Sequence, residues 1–267
     1  MRRMKAFTLV ELLVVISIIA LLVGTIMPTL NNARELARRA TCSANLGAIG
    51  KSAGQYATDN HGGLPYERND DVAAEIDRIG YQADQENPDS WCSNTRVWYR
   101  LVRDGLNPGA FKCPSDRMAE AGPSGNQYFD FPFDEGKRRV SYSMQVQLGS
   151  SSHSCEWVTM DMDGAGSLVI AADRNGLIEL EPDTGGGYWH IKGSPAGATG
   201  NADDNSANHK EEGQNIVRMD GSVSWETTPA CGYEDDNIYS HGGPATVGSK
   251  PSDSARPANE QDSYLAP

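Results

Sequence analysis

The stretch from Phe7 to Met27, FTLVELLVVISIIALLVGTIM, constrains this chain more than any other. Its 21 residues carry a single charge, Glu11. As a helix rising ~1.5 Å per residue it would extend roughly 31 Å, the thickness of a bilayer's hydrocarbon core. Arg2, Arg3 and Lys5 precede it, so the positive-inside rule keeps the N-terminus cytoplasmic and sends the remainder outward. A cleavable secretory signal would need a small-x-small site after the apolar run. Val23-Gly24-Thr25 and the residues around Pro28 fit such a site poorly, and helical patterning continues beyond them. Glu11 is the anomaly, because a carboxylate at mid-bilayer costs about 2.5–3.5 kcal/mol on insertion scales. Its charge therefore needs a use.

Beyond Pro28 the helical period persists. Leu36, Ala40, Leu46, Ile49, Ala53 and Tyr56 recur at three- and four-residue steps, with Arg34, Glu35, Arg38 and Arg39 on other faces. Gly50 and Gly54 would admit a closely packed neighbour, and Asn60-His61-Gly62-Gly63 predicts the helix stop. Tyr66 to Asn94 reads as a loop-rich insertion with a short helix at Asp71–Ile79, and Val97–Leu106 as an amphipathic helix ended near Gly105. Strands are expected at Val140–Leu148, Ser167–Ala172, Leu177–Glu181 and Tyr188–Ile191. A hairpin of Asn215–Met219 and Ser222–Thr227 is expected around Asp220-Gly221, both turn residues at positive φ. From Gly242 onward there is no apolar periodicity, which predicts a disordered tail. The expected fold class is α+β: a long N-terminal helix, its first half transmembrane, packed on an antiparallel sheet domain.

The net charge of −13 disfavours nucleic acid as a partner. Five cysteines (Cys42, Cys92, Cys113, Cys155, Cys231) lie at irregular spacings without a C-x-x-C pair, which is not the usual zinc pattern. In an exported domain disulfides become accessible, and Cys92 with Cys113 is the candidate bridge. His209 and Asp220 are a conceivable ligand pair, but a lone His entering a strand is more often a hydrogen-bonding residue and Asp-Gly needs only to turn. Asp161-Met162-Asp163-Gly164 lacks the third acidic position and distal Glu of a calcium loop. Asp203, Asp204, Asp235 and Asp236 read as solvated loop carboxylates. Trp91, Trp98, Trp157, Trp189 and Trp225 read as packing residues, with a sugar-like ligand as the other reading. No catalytic motif is found and Cys113 has no assignable His partner, so no enzyme, no catalytic residue and no metal ligand is expected.

The opening stretch resembles the type IV prepilin signature: a short basic leader, then Phe7-Thr8-Leu9-Val10-Glu11 and a long apolar helix. The resemblance implies cleavage between Ala6 and Phe7 by a prepilin peptidase, N-methylation of Phe7, and assembly through the helix. Ala6 stands where the family usually has Gly. Further stretches resemble a group of bacterial pseudopilins described as type II secretion-like: RATCSANLGAIGKSAGQYATDNHGGLP, FKCPSD, VSYSM, IAADRN and NHKEEGQNIVRMDGSVSW. That group has a His-x9-Asp-Gly element; here His209 and Asp220 are separated by ten residues. The implied organisation is a leader (1–6), a transmembrane or filament-core helix (7–30), its aqueous continuation (31–62), a pilin-like extracytoplasmic domain (63–241) and the tail (242–267). The implied function is a structural subunit of a type IV pilus-like or type II secretion filament at the inner membrane. Its partners would be the peptidase, other pseudopilin subunits and an inner-membrane assembly platform. Some major pseudopilins bind calcium, but no motif here matches residue by residue; no cofactor is assigned and calcium stays a candidate. Glu11 then pairs with the Phe7 ammonium of a neighbouring subunit, which relieves the cost of an isolated buried charge. The rival reading is a membrane-tethered binding protein for carbohydrate or a surface ligand that never polymerises.

Overall fold

Helix α1 (Leu9–Asp59) runs for 51 residues, about 76 Å at the α-helical rise. The structure is a computed structural model. It describes residues 9–65, 67–68, 94–125, 127–132, 138–145, 148–149, 165–174, 179–182, 189–193, 205–206, 208–233, 237–239 and 265–266. Pro28 lies inside α1 and cannot donate to the carbonyl one turn back, yet the helix continues past it. Thr25 and Thr29 hydroxyls donate to the carbonyls of Leu22 and Ile26 at 2.9 and 2.7 Å. The end falls where the sequence places it: Gly62 takes φ 86° and its N–H donates to the Ala57 carbonyl at 2.8 Å.

The two halves of α1 differ completely in burial. Every large apolar residue from Leu9 to Leu30 is exposed. Beyond it, Glu35, Cys42, Leu46, Ile49, Gly50, Ala53 and Ala57 are buried. The packing face therefore sits one residue out of phase with the expected stripe at its upstream end. Leu36 is 63% exposed and Glu35 takes the inward place. One residue is about 100° of helix rotation, so the stripe cannot include both. Of the two glycines expected to allow close packing, only Gly50 does so. A Cβ there would stand 2.5 Å from Val217 Cγ2, whereas one at Gly54 would meet nothing within 4 Å.

In chain order the strands are β1 (Glu67–Arg68), β2 (Tyr142–Gln145), β3 (Leu148–Gly149), β4 (Val169–Asp173), β5 (Glu179–Pro182), β6 (Trp189–Gly193), β7 (Gln214–Arg218), β8 (Val223–Glu226) and β9 (Leu265–Ala266). Five of them form one sheet in the order β8-β7-β4-β2-β9, with every neighbour antiparallel. The pair β5–β6 is also antiparallel, while β1 and β3 pair parallel. β9 belongs to the stretch expected to be a disordered tail: Leu265 is buried and pairs with Gln145, and Ala266 pairs with Met144. The rest of that stretch, and the helix expected at Asp71–Ile79, lie outside the described residues. Helix α2 (Asn94–Arg103) ends at Gly105, φ 110°, where the Gly105 and Leu106 N–H groups donate to the carbonyls of Val102 and Leu101.

The expected hairpin is β7–β8, but its turn differs from the expectation. Arg218 N–H donates to the Ser222 carbonyl and Gly221 N–H to the Arg218 carbonyl, so three residues form the loop. Only Gly221 takes positive φ, 82°; Asp220 instead accepts from the Ser222 N–H at 2.8 Å. This is the three-residue loop with a glycine bulge, not the two-residue turn. The hydrogen bonds from Ser222 hold the Asp220 carboxyl below its ordinary pKa.

The sheet buries both faces. Toward α1 and α2, Val217, Ala171, Tyr142 and Met144 pack with Leu46, Ile49, Trp98 and Phe111. On the other face Val169, Ala172 and Ile216 pack with Ile238, Tyr239 and Leu265. Successive strand residues point to opposite faces, so Asp173, two places beyond Ala171, is directed to the helix side of the sheet.

Candidate functional site

Two features stand apart from ordinary packing. The first is the exposed half of α1, the single helix among the described residues long and apolar enough to cross a membrane. Glu11 lies in its first turn, where a carboxylate also complements the helix dipole. Ala6 and Phe7 lie outside the described residues.

The second is a polar cluster sealed between α1 and the sheet. Four elements build it. Cys42 comes from the inward face of α1. Cys113 comes from the turn after the short 3-10 segment Pro108–Phe111, Asp173 from the end of β4, and His209 from the loop before β7. The four residues are 0 to 1% exposed. One ligand atom from each, two Sγ, a carboxylate oxygen and an imidazole nitrogen, lies within 4.8 Å of all the others. His209 Nε2 is 3.5 Å from Asp173 Oδ1 and 3.6 Å from Cys113 Sγ, and the two sulfurs are 2.8 Å apart. Cys42, Cys113 and Cys231 are all free thiols.

A surrounding ring of hydrogen bonds fixes these groups. His209 Nδ1 donates to Glu35 Oε1 at 2.7 Å, and the Ser115 hydroxyl donates to the same oxygen at 3.2 Å. Ser115 N–H points at Cys113 Sγ, 3.4 Å away. Asp173 Oδ2 accepts from the Asn215 backbone N–H and side chain at 2.7 and 3.0 Å, while Oδ1 faces His209 Nε2 at 3.5 Å. The KCPSD turn is anchored through Asp116, whose carboxylate takes hydrogen bonds from Arg138 and Ser141 at 2.9 and 3.1 Å. Trp225 meets the imidazole in a T-shaped contact at 5.8 Å, and the Arg39 guanidinium lies over the Trp225 ring at 4.2 Å. Arg39 in turn pairs with Glu212.

His209, Lys210 and Glu211 hold φ of 53°, 62° and 62°. Three consecutive non-glycine residues in the left-handed region cost about 1–2 kcal/mol each. Such backbone persists only where its surroundings over-determine it, and it concentrates at functional sites. Here the anchors are Asn208, whose side chain donates to the Ser141 carbonyl at 3.1 Å, and the His209–Glu35 contact.

The electrostatics follow from acids gathered around one base. Burial works against a charged His209, but hydrogen bonds to Asp173, Cys113 and Glu35 outweigh it and raise the imidazole to about 10. The hydrogen bond from Cys42 lowers the Cys113 thiol and raises that of Cys42 itself. Burial also raises the Tyr142 hydroxyl.

This arrangement revises several expectations. Cys113 does have a His neighbour, His209, brought from 96 residues away, a separation that sequence spacing cannot bridge. His209 faces Glu35 and Asp173, while Asp220 binds its own turn at Ser222. Cys92, the candidate bridge partner of Cys113, lies outside the described residues, as do Asp161–Gly164, Asp203, Asp204, Asp235, Asp236, Trp91 and Trp157. Trp98 is a core residue donating to the Gln145 carbonyl at 3.0 Å. Cys42, Asp173, Glu35, Ser115 and Asn215 were not singled out from sequence. A signal was present, because each belongs to or adjoins one of the separate stretches FKCPSD, IAADRN and the helix and hairpin segments.

The fold and these features define a class: a chain fit for membrane anchoring by one exposed apolar helix, whose other half carries an α+β domain. Residues 1–27 match the family model described as the prokaryotic N-terminal methylation motif, so the chain carries a prepilin-type signal. No curated protein and no solved structure matches the chain.

Proposed function

We propose that this protein is a pseudopilin-like structural subunit, held in the inner membrane with its domain outside the cytoplasm and assembled into a type IV pilus-like or type II secretion filament. The observation that carries the reading is the division of α1. An apolar half of membrane length is exposed and begins with the methylation motif, while the other half is the central support of a folded domain. Prepilin peptidase would cut between Ala6 and Phe7, and the methylated Phe7 amine would open the mature chain.

In a filament the exposed halves of neighbouring helices cover one another, replacing lipid contact by side-chain packing. Glu11 of one subunit then meets the Phe7 ammonium of the next, because a buried carboxylate is tolerable when paired and costly when its partner is removed. The pair selects register more than it adds affinity. The test is Glu11→Val in cells that contain the peptidase and the assembly platform. The variant is expected to insert in the membrane at wild-type levels and to be lost from sheared fibres. Fibres formed at wild-type yield would overturn the assembly role of Glu11. A chain that stays a membrane monomer under every condition would favour the tethered binding protein.

A further inference from the structure

We propose that Cys42, Cys113, Asp173 and His209 form a buried structural binding site for a zinc-type divalent metal ion that clamps α1 to the sheet. The donor set and its convergence carry this. Two sulfurs, an imidazole nitrogen and a carboxylate oxygen, all within 4.8 Å of one another, are the ligand types and number of a closed tetrahedral zinc site. Such a site has ligand bonds of about 2.0–2.3 Å, which sets ligand-to-ligand edges near 3.3–3.8 Å. The Nε2–Oδ1 and Nε2–Sγ separations of 3.5 and 3.6 Å match those edges. The Sγ–Sγ distance of 2.8 Å is shorter than an edge and longer than the ~2.05 Å of a disulfide. The two sulfurs therefore separate by roughly 1 Å to receive the ion, a rotation of two side chains on different elements.

Orientation supports the same reading independently. Glu35 accepts the Nδ1 proton at 2.7 Å, which turns Nε2 toward the Cys113 sulfur and Asp173. A carboxylate fixing the far nitrogen of a ligating His is the usual outer partner at metal sites. Asp173 is divided in the same way: Oδ2 is held by two hydrogen bonds from Asn215, and Oδ1 faces His209 Nε2 at 3.5 Å inside the cluster. A buried carboxylate oxygen converging with an imidazole nitrogen and two sulfurs is a donor set that a divalent cation would satisfy. Two thiolates with one imidazole and one carboxylate favour zinc over calcium or magnesium, which take oxygen ligands. Binding displaces the thiol protons and the proton on His209 Nε2 to solvent. With the ligands fully buried and all four positions supplied by protein, the site is closed and therefore structural. It would tie together four segments widely separated in the chain, one of them the helix that also enters the membrane.

The experiment uses the full chain purified in detergent without chelator. Metal analysis is expected to find one zinc per chain, with Cys42 and Cys113 recovered as free thiols in peptide maps. After zinc removal, cobalt(II) is expected to restore the intense visible bands of a tetrahedral ion and a sulfur-to-cobalt charge-transfer band. His209→Gln and Asp173→Asn should weaken cobalt binding at least about tenfold, as loss of even an outer partner does. Cys42→Ser with Cys113→Ser should remove the charge-transfer band, and Cys231→Ser should leave it unchanged. A Cys42–Cys113 disulfide in metal-free protein would overturn the proposal. So would cobalt spectra lacking the charge-transfer band, or zinc retained by the double cysteine variant. The wild-type spectrum decides the matter even if a variant fails to fold.

Discussion

At the scale of single residues, Glu35 shows how a local rule was overridden. Charged residues on an aqueous helix normally face solvent, and the apolar pattern accordingly put Leu36 on the packed face. The structure buries Glu35 because the loop before β7 delivers His209 and the KCPSD turn delivers Ser115 to the same point. Neither partner lies near Glu35 in sequence, so no periodicity could have signalled them. Glu35→Ala leaves the buried His209 donor without its carboxylate acceptor, which costs about 1–3 kcal/mol for such a group. A lowered thermal midpoint in the detergent-solubilised chain would register this. Leu36→Ala, on an exposed side chain, should change the midpoint little. Equal losses in both variants would contradict the assigned helix phase. Glu11, by contrast, stands out in the sequence itself as the single charge of the apolar run, and its assembly role rests on the Glu11→Val test.

At the scale of elements, long periodic segments were read well and their partners were not. The course of α1 to the Asn60–Gly63 stop, the α2 helix ending at Gly105 and the β7–β8 hairpin all follow from composition and turn chemistry. The strand order β8-β7-β4-β2-β9 does not, since register between distant strands is set by packing that no local window contains. The two helix glycines give a paired test of how closely α1 meets the sheet. Gly54→Ala enters open space and should stabilise by up to about 1 kcal/mol, the helix-propensity difference. Gly50→Ala drives a Cβ to 2.5 Å from Val217 Cγ2 and should destabilise by about 1–3 kcal/mol through overpacking. The comparison is read from thermal unfolding of the two full-length variants. If Gly50→Ala proved as stabilising as Gly54→Ala, the close contact of α1 with β7 would be wrong.

At the scale of the whole molecule, one helix serves two environments. Its first half is an exposed apolar surface, and its second half packs into the core of the domain. The membrane segment and the α+β layout were legible because an apolar run of bilayer length and alternating strands leave strong local signals. The buried cluster was not, since its members come from four elements and join only when the sheet is assembled against α1. In the proposed function anchoring, processing and assembly would all begin at Phe7, so the most direct test is an intact mass of the protein isolated from its own membrane. The account predicts a chain lacking Met1–Ala6, with one added methyl group on the Phe7 amine. A chain retaining Met1–Ala6, or one cut after the apolar run near Met27, would contradict it.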